Sequence, residues 1–440
     1  MTKRRDLVDL DKRYVWRPYT EMGHYQTSGD PIVVASGERV WLYDVSGVRY
    51  FDACSSWWTA ALGHQHPRLV RALTEQAEKL AHCAYAGVAH EPAVRLAKEL
   101  LDTLPSGLAR VFYTDNGSTS VEVAVKAVAQ FWHQNGHPKK QRFVSLEGAF
   151  HGETLAPTSL GGIEVFRRPF GGLIFDCVRV SSPADGGHAR AFSELEQLLR
   201  CEHETLAGCV IEPLVQGAAG MKMYPAAYVK DLAEVCRKHD VFLIVDEVFT
   251  GLGRTGAMWA LDHADVQADV VCVGKAFSSI VPMGAAIFSE RVFNGFMGSG
   301  ERALLYGHTF YGNPIGASIA REVLATLREE KVVERAQPMM QRLNQRFLRM
   351  NQLPRVSGAR ALGMIGAFDL SGSDASIGDE TDSYLRTAGW LVADKARERG
   401  VYLRPLGNTI YVCPPLITTL DEVDWLCDAL EDSVRAAFAL

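Results

Sequence analysis

Asp246 and Lys275 each follow a run of apolar residues, and that shared setting makes them the first candidates for chemistry. Val241-Phe242-Leu243-Ile244-Val245 leads to the acid, and Val270-Val271-Cys272-Val273-Gly274 leads to the amine, 29 positions further on. Apolar runs without alternation read as strands buried on both faces. In open α/β sheets ligands bind outside the carboxyl ends of the strands, which is where this acid and amine stand. An amine can condense with an aldehyde, and an acid can keep a pyridine nitrogen protonated. Pyridoxal phosphate makes both demands. Taken singly, each residue has a plainer reading: Lys275 as a snorkelling edge residue, Asp246 as a helix cap.

Three further stretches carry donors or rings. Asp115-Asn116-Gly117-Ser118-Thr119 follows the apolar run Val111-Phe112-Tyr113 and precedes a helical pattern over 120–134, with Val121, Ala124, Val125, Val128 and Trp132 on one side. Small residues at a helix start leave free N–H groups for an anion, Gly117 allows close approach, and Ser118 and Thr119 add hydroxyls. A simply capped helix has the same look, and no Gly-Lys-Ser/Thr follows to make a nucleotide loop. Phe150-His151-Gly152 offers a ring that could stack on a cofactor or pack in the core. Gly307-His308-Thr309-Phe310-Tyr311-Gly312-Asn313-Pro314 is rich in turn formers, and Thr309 suits a phosphate contact.

Substrate contacts are expected from other stretches. Trp57 and Trp58 follow Cys54-Ser55-Ser56, and Trp16-Arg17-Pro18-Tyr19-Thr20 lies near the start. Tryptophans are usually core, but a pair among serines could wall an apolar slot. Arg404, within Tyr402-Leu403-Arg404-Pro405, could fork onto a carboxylate, although most arginines are solvated.

The elements that must position these residues follow a clear texture. Two short strands near 40–44 and 49–52 flank a hairpin turn. Helical spacing recurs over 67–80 and 91–101. From Arg110 short apolar strands alternate with amphipathic helices: 111–113, 143–145, 209–211, the two runs named first, and 285–288. This predicts an α/β fold with a mostly parallel sheet. Residues 181–188 read as a surface loop. After about 330 a charged helix leads to a second αβ unit, with strands within 358–370 and 401–412 and a closing helix over 421–440. The expected layout is a large domain over 66–330 and a small one assembled from 1–65 and 331–440. The chain has 440 residues, a net charge of −6 and 22% charged residues, with no basic block for nucleic acid or an anionic membrane. Nine cysteines without C-x-x-C spacing read as reduced, buried thiols. The N-terminus shows no signal peptide and no apolar run reaches a membrane span, so a cytoplasmic protein is expected.

These motifs together resemble the class III pyridoxal-phosphate aminotransferases over essentially the whole chain. The carrying stretch runs from Phe242-Leu243-Ile244-Val245-Asp246-Glu247-Val248 through Gly251-Leu252-Gly253-Arg254-Thr255-Gly256 to Gly274-Lys275. The resemblance implies fold type I, the aspartate-aminotransferase-like fold, and a homodimer with shared sites. Within the class, Trp16 to Thr20, Ser55 to Trp58, Arg404-Pro405-Leu406-Gly407 and Pro414-Pro415 are similar to the subgroup that aminates 8-amino-7-oxononanoate, with S-adenosylmethionine as usual donor and lysine in some relatives. The resemblance implies that Lys275 bonds to the cofactor aldehyde and moves the proton, while Asp246 pairs with the ring nitrogen. Gly117, Ser118 and a Thr309 from the partner subunit would hold the phosphate, with His308 beside it and Phe150 stacked on the ring. Tyr19, Trp57, Trp58 and Gly307 would line the substrate slot, Arg404 would take the keto acid's carboxylate, and Arg254 would order the site. Three departures stand out: Phe150 for the usual tyrosine, Ser278-Ser279-Ile280 for a smaller glycine-containing stretch, and His308 for a frequent proline. Phe150 favours a sister ω-amino-acid or diamine:pyruvate transaminase; Tyr19, Trp57 and Trp58 argue against it. A cofactor-binding regulator without turnover is the reading from another class.

Overall fold

The computed structural model describes residues 2–27, 29–371 and 388–438. The chain divides into two units, Pro67–Arg335 and Met1–His66 with Ala336–Leu440.

Seven strands form the sheet of the larger unit: β1 (Leu108–Thr114), β2 (Arg142–Leu146), β3 (Val178–Val180), β4 (Leu206–Ile211), β5 (Phe242–Asp246), β6 (Val270–Val273) and β7 (Gly284–Ser289). Their order is β1-β7-β6-β5-β4-β2-β3. Pairing is parallel from β6 across to β3, and β7 runs antiparallel to both β6 and β1. Every residue of β4, β5, β6 and β7 is buried, as runs without alternation require. The short edge strand β3 was not read from sequence; three residues of Val-Arg-Val carry little signal.

The helix Gly117–Gln134 packs its apolar stripe on this sheet, burying Val121, Ala124, Val125, Val128, Phe131 and Trp132. Phe131 meets Phe242 of β5 edge to face at 4.8 Å, and Trp132 Nε1 donates to the Ala207 carbonyl at 2.8 Å. That packing fixes the helix start against the strand ends. The expected surface loop at 181–188 is corrected. Ser181, Ser182 and Pro183 are buried, and a short helix, Pro183–Gly186, follows. Ser182 caps it by accepting from Ala184 N–H, and its hydroxyl donates to Gln216 at 2.6 Å. Cap and loop share one composition, so composition alone misread it.

In the smaller unit a four-stranded sheet runs Val34–Glu38, Trp41–Asp44, Arg49–Asp52, Val401–Tyr402. Its last two strands pair in parallel and bring distant parts of the chain together. A three-stranded antiparallel sheet is built from Val356–Leu362, Ile365–Leu370 and Thr409–Val412. The closing helix Leu420–Ala437 starts with a Thr419–Glu422 capping box. The last two residues of the expected helix, 439 and 440, lie outside the described residues. Among the described residues, no helix is long and apolar enough to cross a membrane.

Candidate active site

Asp246 closes β5 with its side chain buried. One carboxylate oxygen accepts from Val248 N–H at 3.0 Å, and the other meets His151 Nδ1 at 2.8 Å. His151 is buried too, and its Nε2 has no hydrogen-bond partner among the described residues. A third group stands close by: Glu212, which follows β4 as Asp246 closes β5. Its carboxylate accepts from Phe150 N–H at 3.0 Å and from Gly217 N–H at 2.9 Å. Burial pushes Glu212 up to about 7 against the pull of His151 and of these N–H groups, with Asp246 adding to the rise. Glu247 is also raised to about 7 by burial; Thr250 Oγ1 and Leu261 N–H bond to it at 2.6 and 2.9 Å.

Register places the amine. Asp246 stands opposite Cys272, so Lys275 lies three residues beyond that pair on the neighbouring strand. The strand itself stops at Val273, and Lys275 opens a short 3₁₀ turn, Lys275–Phe277, with φ of 49°. A left-handed lysine costs about 1–3 kcal/mol and aims the side chain away from the strand direction. Its Nζ lies 5.8 Å from the Phe249 ring centroid.

The helix start is closed in by glycines. A Cβ on Gly117 would meet Val248 Cγ1 at 2.5 Å, one on Gly274 would meet Gly117 N at 2.9 Å, and one on Gly152 would meet Ser118 Oγ at 2.2 Å. Asn116 caps the helix by accepting from Thr119 N–H at 3.0 Å, and Ser120 N–H reaches the Asn116 carbonyl. The N–H groups of Gly117 and Ser118 precede any intrahelical acceptor. Ser118 Oγ accepts from Glu153 N–H at 3.2 Å and keeps its own proton to donate. Behind this start, Asp115 meets His308 Nδ1 at 2.6 Å, and His308 Nε2 meets Tyr306 Oη at 2.9 Å. Gly307 and Thr309 are exposed on the same turn, and the Phe150 ring is half-buried, edge-on to Phe166 at 5.7 Å. Arg254 is buried.

The smaller unit holds a second constellation. Ser55, Ser56, Trp57 and Trp58 all have positive φ, between 45° and 74°, without a glycine among them. Side chains hold this turn: Ser55 Oγ donates to the Cys413 carbonyl at 2.6 Å, Ser56 Oγ to Asp52 at 2.8 Å, and Trp58 Nε1 meets Tyr411 Oη at 3.2 Å. Trp58 is buried, 4% exposed, whereas Trp57, 41% exposed, faces outward. The parallel pairing of Val401–Tyr402 with Arg49–Asp52 brings Arg404 to this turn. Arg404 Nη2 donates to the Tyr19 carbonyl at 3.0 Å, and the guanidinium lies 5.1 Å from the Trp57 centroid and 5.7 Å from that of Trp390. Tyr19 and Trp57 are 5.5 Å apart. No carboxylate pairs with Arg404 among the described residues, so a half-buried cation is supplied with ring faces and left without an anion.

Sequence reasoning missed His151, Glu212 and Trp390 as members of these clusters. Glu212 had a signal, since an apolar run ends in an acid there as at Asp246. His151 was quoted but only for its neighbours. Trp390 sits on the helix Ala388–Glu398 with nothing in the local pattern to connect it to Arg404.

An acid closing one strand, a lysine beyond the next, and a glycine-walled helix start define the ligand end of a fold type I pyridoxal-phosphate enzyme. The chain belongs to the aminotransferase class-III family, whose model matches residues 24–434. Enzymes of this class depend on pyridoxal phosphate, and the residues present fit it: buried acid, strand-end amine, anion cradle. The chain is 37% identical over 443 residues to an adenosylmethionine-8-amino-7-oxononanoate aminotransferase of Geobacter sulfurreducens, covering 98% of this chain and 97% of that one. The solved structure of an enzyme of that name from Methanocaldococcus jannaschii superimposes with a TM-score of 0.93 at 32% identity, covering 98% and 99%. An omega transaminase of Pseudomonas jessenii in complex with PMP gives 0.91 at 30%, covering 98% of each chain.

Proposed function

We propose that the chain transfers an amino group from S-adenosylmethionine to 8-amino-7-oxononanoate, giving 7,8-diaminononanoate for biotin synthesis. The observation that carries this reading is Arg404: a guanidinium held by the Tyr19 carbonyl and two indoles, with no carboxylate of its own among the described residues. An acceptor with an apolar chain ending in a carboxylate suits it. The names of the similar aminotransferases from Geobacter sulfurreducens and Methanocaldococcus jannaschii support the same acceptor.

Pyridoxal phosphate, when bound, supplies an electron sink for charge on the carbon that loses its proton. Lys275 would bond to its aldehyde. Asp246, braced by Val248 N–H and His151, would face the ring nitrogen and keep it protonated. Gly117 and Ser118 would hold the phosphate, with Thr309 of a partner chain, and His308, tied to Asp115, steadies the turn that carries Thr309. Phe150 would lie against the ring. Lys275 Nζ would take the proton from the donor α-carbon as general base in the first half of a ping-pong cycle, and in the second half would deliver a proton as general acid to the acceptor carbon that receives the amine. Tyr19 and Trp57 would wall the substrate slot, with Gly307 contributing. The working form is proposed to be a cytoplasmic homodimer.

Phe150 in place of tyrosine favours a second reading, an ω-amino-acid or diamine:pyruvate transaminase. The test is amino transfer to 8-amino-7-oxononanoate from adenosylmethionine and from lysine, beside transfer from a simple ω-amine to pyruvate. The first reading expects the keto acid to be the far better acceptor; pyruvate as the better acceptor overturns it.

A further inference from the structure

We infer that Trp390 is a specificity-determining residue, which positions the Arg404 guanidinium for the acceptor's carboxylate. The inference rests on the proposed role of Arg404 and extends it to a residue on another element. The Arg404 side chain has one hydrogen bond among the described residues, from Nη2 to the Tyr19 carbonyl. One bond to one nitrogen leaves a long side chain with much rotamer freedom still to lose. The two indoles within cation–π range reduce that freedom.

The two rings differ in how they are held. Trp57 is on the left-handed turn, 41% exposed, and touches Tyr19, so it stands where a ligand would also press. Trp390 stands on the regular helix Ala388–Glu398, between the buried residues Gly389 and Val392 of one face. Its indole N–H is buried and has no acceptor among the described residues, so no hydrogen bond directs the ring elsewhere. A ring fixed by a helix is the steadier of the two surfaces for a planar cation. With one nitrogen tethered and the plane steadied, the remaining N–H donors form a preorganised fork. The ordering is then complete before the carboxylate arrives. A carboxylate-bearing acceptor gains from this; the same molecule with its charge masked does not.

The test measures KM and kcat with 8-amino-7-oxononanoate and with its methyl ester, for Trp390→Leu, Trp390→Phe and Arg404→Ala. For Trp390→Leu, KM for the free acid rises roughly three- to tenfold. Its kcat stays within about twofold and KM for the ester is unchanged. Trp390→Phe keeps a ring and recovers most of the loss. An unchanged KM for the acid in Trp390→Leu, or equal shifts for acid and ester, overturns the assignment. If Arg404→Ala itself leaves KM for the acid unchanged, the reading of Arg404 fails and this one with it. A shift in Arg404→Ala without one in Trp390→Leu removes Trp390 alone.

Discussion

In the larger unit the candidate groups stand at the ends of strands that are buried on both faces. In the smaller unit Trp57 stands on a left-handed turn and Arg404 just beyond a two-residue strand. Asp246, Glu212 and Lys275 take their positions from sheet register, and the strands that carry the two acids are buried throughout. Trp57 takes its position from four successive left-handed residues. Such backbone costs about 1–2 kcal/mol per residue. Each of the three side-chain hydrogen bonds returns about 1 kcal/mol, and burying the Trp58 ring returns about 2–3 kcal/mol. Cost and return are therefore of similar size. Asp246 and Glu212 themselves sit on ordinary backbone while Lys275 is left-handed, and recognition is mounted on a turn whose cost and return are balanced. A scaffold of the second kind changes with few substitutions, which fits a family in which acceptors differ while the proton transfer is shared.

The comparison breaks first at Lys275. Lys275→Ala removes the amine that moves the proton, and turnover is expected to fall by roughly 10²–10⁴ or more. The visible absorbance of protein-bound pyridoxal phosphate should change with it. Steady turnover within tenfold of the parent, measured with the same donor and acceptor, would take the chemistry out of the larger unit's strand ends. Next in size is Arg404→Ala. Loss of a charge-assisted fork is expected to raise KM for the keto acid about 10- to 100-fold, with kcat little changed. The two variants together sharpen the contrast: one should act on kcat and the other on KM. A fall in kcat alone in Arg404→Ala would mean that the smaller unit's arginine serves the reacting atoms and not the far end of the substrate.

What was legible in the sequence follows the same division. Apolar runs ending in Asp246 and before Lys275 appear as strands because burial on both faces leaves no polar position to confuse the pattern. The helix after Asn116 starts three residues earlier than its apolar spacing suggested, because Gly117, Ser118 and Thr119 belong to its first turn and carry no apolar stripe. The left-handed backbone of Ser-Ser-Trp-Trp was not legible, since residues of these types rarely adopt it. That conformation sends one ring to Tyr411 and the other outward. Trp390 was invisible for a different reason: its meeting with Arg404 depends on how the helix Ala388–Glu398 packs in its unit, a contact with no short-range signature. Glu212 was legible in principle and passed over, because its strand was read only as an element of the sheet.

The smallest effect concerns protons, and its sign differs between the two regions. Glu212 is raised from 4.5 to about 7, chiefly by burial. Between those values the folded protein holds a proton that the unfolded chain has released, so this group's contribution to stability is fully present below pH 4.5 and is lost as pH rises through about 7. Glu247, raised to the same value, adds to that decline. In the smaller unit Asp11 is lowered below 3.8, mainly by the Arg17 side chain that bonds to it at 2.8 Å. Its contribution is present above pH 3.8 and is lost on acidification through its folded value; it is also screened, since both partners are partly exposed. The measurement is the melting temperature of the parent minus that of Glu212→Gln, followed from pH 4.5 to 8. That difference should be largest at the acid end and shrink towards pH 7 to 8, since glutamine cannot release the proton. The matching difference for Asp11→Asn should stay level over the same range and shrink only below about pH 4. A Glu212 difference that is flat across the range would mean that the carboxyl is ionised throughout, held by the N–H groups of Phe150 and Gly217 against its burial.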